Sequence, residues 1–285
     1  MLQKRTGRRP RPAVRAAISA HLSAIPLLAW PGGRLWALAL VAGSHALLAA
    51  FGLWPRSQVL GSTLVRLPPG ERDGQVALTF DDGPDPEVTP ALLDVLDRGG
   101  ARASFFLIGE RARAHPALVR EIIRRGHAVE NHTQRHAPWF ALFGPRRLWR
   151  EVAGAQAVLT ALAGRAPRFV RAPAGLRSPL LDPVLAELDL LHASWSRRGY
   201  DTRCRDPSRV LRRLLRGLRP GDVLLLHDGN AARTAGNVPV VLEVVPALLT
   251  ALAERGLRAV PISPAAMPGR AAAAGSPASG ARASR

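Results

Sequence analysis

Short apolar runs alternate with amphipathic stretches along residues 75–262, and this alternation constrains the fold more than any other feature of the sequence. The apolar runs predict strands at Val76–Phe80, Ala103–Ile108, His127–Asn131, Arg168–Arg171, Leu191–Trp195, Asp222–Leu226 and Leu257–Ile262. The stretches between them predict helices over 87–98, 116–125, 145–163, 179–189, 207–217 and 238–254. Such alternation predicts a parallel sheet with helices packed outside it, and the repeats fit either a barrel or a doubly wound sheet.

Polar residues that could carry chemistry follow these predicted strands directly. They are Asp81 and Asp82 after the first strand, His132 and His136 after the third, Arg171 at the end of the fourth, Asp201 after the fifth and His227 after the sixth. Parallel α/β folds build their active sites at the carboxyl ends of the strands. The shared position therefore predicts one functional site assembled from distant parts of the chain.

The residue types at this position indicate a metal-dependent hydrolase. His132 and His136 are four residues apart, so one helical turn would bring both imidazoles to the same side. With Asp82 they form a His₂–carboxylate set, which is typical of catalytic zinc and which non-haem iron could also use. Asp81 beside the metal could act as a general base on activated water, and His227 as a general acid. Together these roles describe hydrolysis of an unreactive bond such as an amide.

Five motifs in order resemble the polysaccharide deacetylase family, the NodB-homology carbohydrate esterases. They are "TFDDGPDP" (79–86), "HTQRH" (132–136), "RAPAG" (171–175), "WSRRGYD" (195–201) and "LLLH" (224–227). The resemblance covers residues 75–262 and implies a distorted (β/α)₇ barrel. It also implies a divalent metal ion, with zinc as our expectation, and removal of N-acetyl groups from amino sugars.

The resemblance also implies a role for each matching residue. By this resemblance the catalytic base is Asp81, oriented by Arg171, and the acid is His227, oriented by Asp201. The metal ligands are Asp82, His132 and His136. Leu225 lines the acetyl pocket, and the backbone N–H of Ala174 helps to hold the oxyanion. Ala174 and Thr202 depart from the family pattern, which usually has aromatic residues at both positions. We therefore hypothesise a bulkier or differently shaped amino-sugar substrate, such as a lipid-linked one.

The first part of the chain predicts a membrane helix. Leu35–Trp54 contains no formally charged residue and is about long enough to cross a bilayer. Trp36 and Trp54 lie near its ends, with Arg34 and Arg56 just outside, a pattern typical of membrane segments. A buried helix of a soluble domain is one alternative. A cleaved signal peptide fits less well, because the basic segment before it is long and the apolar run exceeds the usual length.

A shorter apolar stretch, 16–30, is interrupted by His21 and Pro26 and could be a second span or an interfacial helix. A basic amino-terminal segment favours a cytoplasmic start. One span would then place the rest of the chain outside the cell, whereas two spans would return it to the cytoplasm. We expect His45, within the longer segment, to form a hydrogen bond between helices.

The predicted organisation has five parts. These are a basic tail (1–15), one or two inner-membrane helices (16–54), a linker (55–74), a polysaccharide deacetylase catalytic domain (75–262) and a disordered low-complexity tail (263–285). Trp139, Phe140 and Phe143 follow the histidine motif and could form either a hydrophobic substrate lip or a core patch.

Charge raises a competing interpretation. The chain has 40 Lys and Arg against 21 Asp and Glu, a net charge of +19, which would suit a nucleic-acid binder. Much of the excess lies in the tails, and Lys4 is the only lysine, so the pattern indicates a composition bias. We expect no nucleic-acid partner.

The single cysteine, Cys204, excludes an internal disulfide and a cysteine-rich metal site.

Two classes of function remain once nucleic-acid binding is set aside. The first is a membrane-attached N-deacetylase whose substrate is an amino-sugar glycan, either peptidoglycan, chitin-like or lipid-linked. The second is a catalytically inert glycan-binding protein that keeps the fold. A binding protein does not need a base, an acid and a metal site together, and this favours the enzyme.

Overall fold

The computed structural model describes residues 11–263. Its strands are β1 (Thr63–Leu64), β2 (Gln75–Asp81), β3 (Ser104–Leu107), β4 (Ala128–Asn131), β5 (Phe169–Val170), β6 (Leu191–Ala193), β7 (Arg197–Arg198), β8 (Val223–His227) and β9 (Arg258–Val260). Its α-helices are α1 (Pro12–Ala29), α2 (Arg34–Leu53), α3 (Val88–Arg98), α4 (Gly109–Ala114), α5 (Pro116–Arg124), α6 (Pro145–Ala163), α7 (Leu181–Glu187), α8 (Pro207–Leu215) and α9 (Val240–Ala253).

The strands form one parallel sheet. Its order is β1-β6-β5-β4-β3-β2-β8-β7, with β9 also paired to β2, and every pairing between these strands is parallel. Within residues 11–263 the end strands β1 and β7 do not pair, so the sheet is a partial barrel. The predicted α/β fold with parallel strands is confirmed.

The core lies between the central strands and the helices that cover them. Leu78 and Phe80 of β2 pack with Phe105 of β3 and with Leu248 of α9, and all four side chains are fully buried. Central parallel strands are buried on both faces, which explains why β2 and β8 have apolar residues in succession. Each such side chain contributes about 1.5–3 kcal/mol through burial. This core fixes the strand ends that carry the polar residues.

The segment expected as a linker forms part of the sheet. Thr63 and Leu64 of β1 pair with β6, and Leu60 and Leu67 on either side are buried. Two-residue strands such as β1 and β7 are too short to show an alternating pattern, so neither was predicted. Residues 55–74 therefore connect the amino-terminal helices to the rest of the sheet through packed structure.

Helices α1 and α2 form an antiparallel hairpin that is mostly exposed. Both are long and apolar enough to cross a membrane. Ala24 and Ala37 are buried within the hairpin, and the Nε2 atoms of His21 and His45 lie 3.2 Å apart. This is the hydrogen bond between helices expected for His45. The structure therefore contains two helices, whereas the sequence left open whether residues 16–30 form a second span or an interfacial helix.

The predicted tails fall largely outside the described residues. This applies to residues 1–10 of the basic tail 1–15 and to residues 264–285 of the tail predicted to be disordered. Arg11, the first described residue, donates to the Asp182 carboxylate over 3.0 Å. The start of α1 therefore lies beside α7.

Candidate active site

A cavity of about 190 Å³ lies at the carboxyl ends of the strands. Its lining comprises Asp81, Asp82, His132, His136, Ala174, Gly175, Trp195, Arg198, Thr202, Arg203, Leu225, His227 and Asn230. The predicted site residues Arg171 and Asp201 lie behind this lining, each hydrogen-bonded to one of its members. The structure thus brings every predicted site residue to one place. The sequence assigned no individual role to Gly175, Trp195, Arg198, Arg203 or Asn230, although the first three lie within the quoted motifs.

Three of these side chains form a candidate metal site. Ligand atoms of Asp82, His132 and His136 all lie within 4.8 Å of one another. Asp82 Oδ1 is 3.2 Å from His132 Nε2 and 3.1 Å from His136 Nε2. This oxygen is buried, and no hydrogen bond of good geometry reaches it from the described residues. One carboxylate and two imidazoles around an unsatisfied oxygen fit a divalent cation.

The neighbouring groups also keep Asp82 ionised, as a metal ligand must be. Burial alone would raise the pKa of Asp82, but the close imidazoles of His132 and His136 outweigh it and hold the pKa well below its usual range. His132 Nδ1 lies 2.8 Å from the carbonyl oxygen of Arg171. An N–H at Nδ1 donates to that carbonyl, which leaves the Nε2 lone pair for a metal.

The two histidines are not brought together by a helical turn, and that part of the prediction was wrong. The chain from His132 to His136 is a loop, in which Thr133 and His136 have positive φ angles of 67° and 54°. Asn131 Oδ1 accepts from the Thr133 backbone N–H at 2.9 Å, and Thr133 Oγ1 accepts from the His136 N–H at 3.2 Å. These local bonds compete with helix formation and set the imidazole positions instead.

The other carboxylate oxygen of Asp82 is held by residues outside the predicted site. Asn230 Nδ2 donates to Asp82 Oδ2 at 3.0 Å, and Arg111 donates to Asn230 Oδ1 at 2.9 Å. Arg111 also donates to the Asp82 backbone carbonyl at 2.7 Å. These bonds fix the carboxylate so that Oδ1 faces the two histidines. No periodicity marks Arg111 or Asn230, and only the fold shows their role.

Asp81 lies beside the candidate metal site and is paired with a buried arginine. Arg171 Nη1 is 2.5 Å from Asp81 Oδ1, and the Arg171 side chain is fully buried. Arg171 also donates to Thr79 Oγ1 and to the Ser194 carbonyl, each over 3.0 Å. Asp81 Oδ2 lies 3.8 Å from His132 Nε2. One carboxylate oxygen therefore holds the arginine, and the other faces the metal ligands.

His227 forms a second carboxylate pair at the cavity. Its Nδ1 is 2.9 Å from Asp201 Oδ1, and its backbone N–H donates to Asp201 Oδ2 at 2.7 Å. Burial disfavours the charged imidazole, but the carboxylate of Asp201, followed by those of Asp81 and Asp82, raises the pKa of His227 to about 9. At neutral pH His227 is therefore a protonated acid whose Nε2 remains available.

The remaining predicted residues form the walls. Leu225 is buried and lines the cavity, whereas Ala174 is exposed at the rim with a φ of 53°. Trp195 provides an aromatic wall, and a Cβ on Gly175 would lie only 2.5 Å from the Trp195 ring. Gly175 has a φ of 75° as well, so a side chain is excluded on both grounds. An aromatic surface therefore remains at the site despite Ala174 and Thr202.

Comparisons with known proteins agree with this geometry. The family profile described as "Polysaccharide deacetylase" matches residues 69–192. A peptidoglycan-N-acetylglucosamine deacetylase of Bacillus cereus is 34% identical over 179 residues, which are 62% of this chain and 64% of the relative. A chitooligosaccharide deacetylase of Sinorhizobium fredii is 36% identical over 201 residues, 65% of this chain and 90% of the relative.

A solved structure is similar over much the same region. It is a family 4 carbohydrate esterase from Streptomyces lividans in complex with acetate, with a TM-score of 0.61 and 31% identity, covering 68% of this chain and 95% of that one. The partial parallel barrel and these matches show that this chain is an enzyme of the polysaccharide deacetylase family.

Proposed function

We propose that this enzyme is a metal-dependent hydrolase that removes N-acetyl groups from amino sugars of a polysaccharide or a lipid-linked glycan. One observation carries the proposal. Asp82, His132 and His136 converge around one unsatisfied carboxylate oxygen, with the Asp81 carboxylate on one side and His227 in the same cavity. The sugar classes named for the relatives, peptidoglycan and chitooligosaccharides, support an amino-sugar substrate.

Asp82, His132 and His136 would hold the cation, and we propose zinc because two imidazoles and one carboxylate leave an open coordination position. Bound there, a divalent ion polarises the acetyl carbonyl and lowers the pKa of water. The free Oδ2 of Asp81 accepts the proton of the attacking water, and Arg171 holds Asp81 in place through Oδ1. Asp81 is therefore assigned as the general base.

His227 completes the reaction as the acid. Asp201 accepts from Nδ1, so the proton that is transferred to the leaving amine nitrogen comes from Nε2. The backbone N–H of Ala174 at the rim would donate to the oxyanion, and Leu225 would contact the acetyl methyl group. Breaking the C–N bond with this proton transfer yields acetate and a free amino group on the sugar.

We further propose that α1 and α2 anchor the enzyme in the inner membrane. The hairpin returns the chain to its starting side, because Arg11 at its first end pairs with Asp182 and Gly52 at its second end accepts from the Arg177 N–H. Several basic residues precede α1, whereas Arg34 alone stands at the turn between the helices. The positive-inside rule then places the catalytic domain in the cytoplasm.

The experiment is acetate release from N-acetylglucosamine oligomers by the purified full chain, before and after the metal is removed. We expect activity to be lost with a chelator and restored by stoichiometric zinc. Activity that a chelator leaves unchanged, in protein verified to be free of metal, would contradict the proposal.

A further inference from the structure

Two of the loops that line the catalytic cavity continue into exposed apolar side chains. His136 lines the cavity, and the loop after it carries Trp139 and Leu142, which are 70% and 79% exposed. Ala174 lines the cavity on another side, and the loop after it ends at Leu180, which is 44% exposed. We call Trp139, Leu142 and Leu180 the apolar rim. Large exposed apolar groups beside a polar site indicate a contact surface.

The neighbours of these residues show that their exposure is not poor packing. Phe140 and Phe143, on the same loop as Trp139, are buried in one cluster with Leu181 at the start of α7. Of the predicted lip residues, Phe140 and Phe143 therefore belong to the core and Trp139 does not. The loop is anchored by its two phenylalanines and presents the residues between and before them outward.

The base of the α1–α2 hairpin lies against the cavity wall and against residues that flank Leu180 in sequence. Pro55, two residues after α2, is so close to Gly175 of the cavity wall that a Cβ there would lie 2.8 Å from the Pro55 Cβ. The Arg177 N–H donates to the carbonyl of Gly52, and Arg11 pairs with Asp182, one residue from the apolar cluster member Leu181. The end of the hairpin that meets the catalytic domain is therefore at the cavity.

This arrangement sets the height of the cavity above a bilayer. Trp54 directly follows α2 and is 56% exposed, the position at which tryptophan marks a membrane surface. The next residue, Pro55, lies against Gly175 of the cavity wall. Arg146 and Arg150, on the helix that follows the rim loop, are exposed cations of the kind that anionic headgroups attract.

Cations also line the cavity away from the metal ligands. Arg198 and Arg203 are both part of the wall. The Arg198 guanidinium lies 5.2 Å from the Trp195 ring centre and 5.0 Å from that of Tyr200, and its buried Nε has no hydrogen-bond partner among the described residues. A guanidinium with a free N–H in a sugar-sized cavity suits a phosphate oxygen.

From these observations we propose that the apolar rim sits in the bilayer that the hairpin spans, and that the substrate is an N-acetyl amino sugar joined through phosphate to a lipid of that bilayer. The proposal rests on the proposed deacetylation and identifies its substrate class. The rim brings the lipid-borne sugar to the metal site, and Arg198 and Arg203 receive the phosphate that links sugar and lipid.

The first test measures membrane contact in the full chain, reconstituted into nanodiscs that contain doxyl-labelled lipid. In a Cys204→Ser background, a fluorophore is attached to Leu142→Cys on the rim, to Ser208→Cys on α8 as an exposed control, or to Trp36→Cys within α2. We expect strong quenching at positions 142 and 36 and little at 208. If position 36 is quenched and 142 is no more quenched than 208, the hairpin is inserted but the rim proposal is overturned.

The second test compares two substrates that share one headgroup. The headgroup is N-acetylglucosamine on a phosphodiester, ending either in a methyl group or in a hexadecyl chain held in the nanodisc. We expect kcat/KM to be about tenfold higher for the hexadecyl form, and Trp139→Ser with Leu142→Ser to remove that preference. Val238→Ser, an exposed apolar residue of another loop, should keep it.

The outcomes separate the two proposals. Equal turnover of the methyl and hexadecyl forms would overturn the lipid substrate and leave deacetylation in place. Turnover of neither form, nor of chitin oligomers, would overturn deacetylation itself and the lipid proposal with it. A hexadecyl glycoside without phosphate should be a poorer substrate than the phosphodiester, and equal turnover would overturn the role of Arg198 and Arg203.

Discussion

Arg171 Nη1 lies 2.5 Å from Asp81 Oδ1, in an ion pair from which solvent is almost completely excluded. The pair joins the end of β5 to the end of β2 and occupies only one of the two oxygens of Asp81. Breaking such a pair by removing one partner leaves a buried charge without compensation. The ion pair therefore holds the proposed base in place, and the free energy of unfolding depends on both of its partners.

Replacing Asp81 with asparagine tests this double role. Asp81→Asn should lower kcat by about 10²–10⁴-fold because the side chain no longer accepts a proton. It should also lower the free energy of unfolding by about 3 kcal/mol, since Arg171 loses its counter-charge. Acetate release, metal content and denaturant unfolding are the measurements. Metal should remain bound.

Asp85→Asn is a matched control on the same loop. Asp85 Oδ1 accepts from the backbone N–H groups of Glu87 and Val88 at the start of α3, and it does not line the cavity. This variant should keep turnover close to that of the native enzyme. Turnover of Asp81→Asn equal to that of the control would remove Asp81 from the base position.

Asn230 should set metal affinity through the Asp82 carboxylate. Asn230→Gly removes the bond to Asp82 Oδ2 while tolerating the positive φ of 59° at this position. Loss of a residue that orients a metal ligand typically weakens binding by about 10–100-fold. Zinc affinity, measured by competition with a chromogenic chelator, should fall by this factor.

Asn237→Gly provides the comparison, because Asn237 is in the same loop with a φ of 60° and does not line the cavity. Its zinc affinity should match that of the native chain. Equal affinities for the Asn230 and Asn237 variants would show that the Asn230 side chain does not act on the metal site.

The pH dependence of turnover should follow His227. Because its folded-state pKa is raised to about 9, the acid is present at neutral pH and is lost as pH rises through that value. Asp201→Asn removes the carboxylate that favours the imidazolium, so the pKa should fall toward the ordinary histidine value of about 6.5.

The measurement is kcat against pH in enzyme saturated with metal. The descending alkaline limb should move by at least about one pH unit to lower pH in Asp201→Asn. An alkaline limb at the same pH in both proteins would mean that another group supplies the proton.

The strands that could be predicted are those with a strong local signal. Central strands such as β2 and β8 are runs of buried apolar residues, and their predicted bounds agree with the structure within a residue or two. Because parallel strands all end at the same edge, the approximate position of Asp82 and His132 followed from sequence alone. Strand β1 could not be predicted, because two residues show no period and its stability comes from pairing with β6.

The details of the site depended on contacts that no local pattern encodes. The spacing of His132 and His136 correctly predicted that the imidazoles converge, but for the wrong reason, since side-chain bonds from Asn131 and Thr133 shape a loop. Asn230 is 148 residues from Asp82 in sequence and meets it only in the folded chain. Contacts of this kind come from tertiary packing, which single-sequence periodicity does not report.

The central claim is that distant segments of the chain hold one divalent ion beside a free carboxylate. The most direct measurement is the zinc content per chain of the purified native protein, His132→Ala, Asp81→Asn and His115→Ala, the last being a histidine outside the cavity. We predict one tightly held ion in the native chain, Asp81→Asn and His115→Ala, and none in His132→Ala. Zinc retained by His132→Ala at the native stoichiometry would contradict the account.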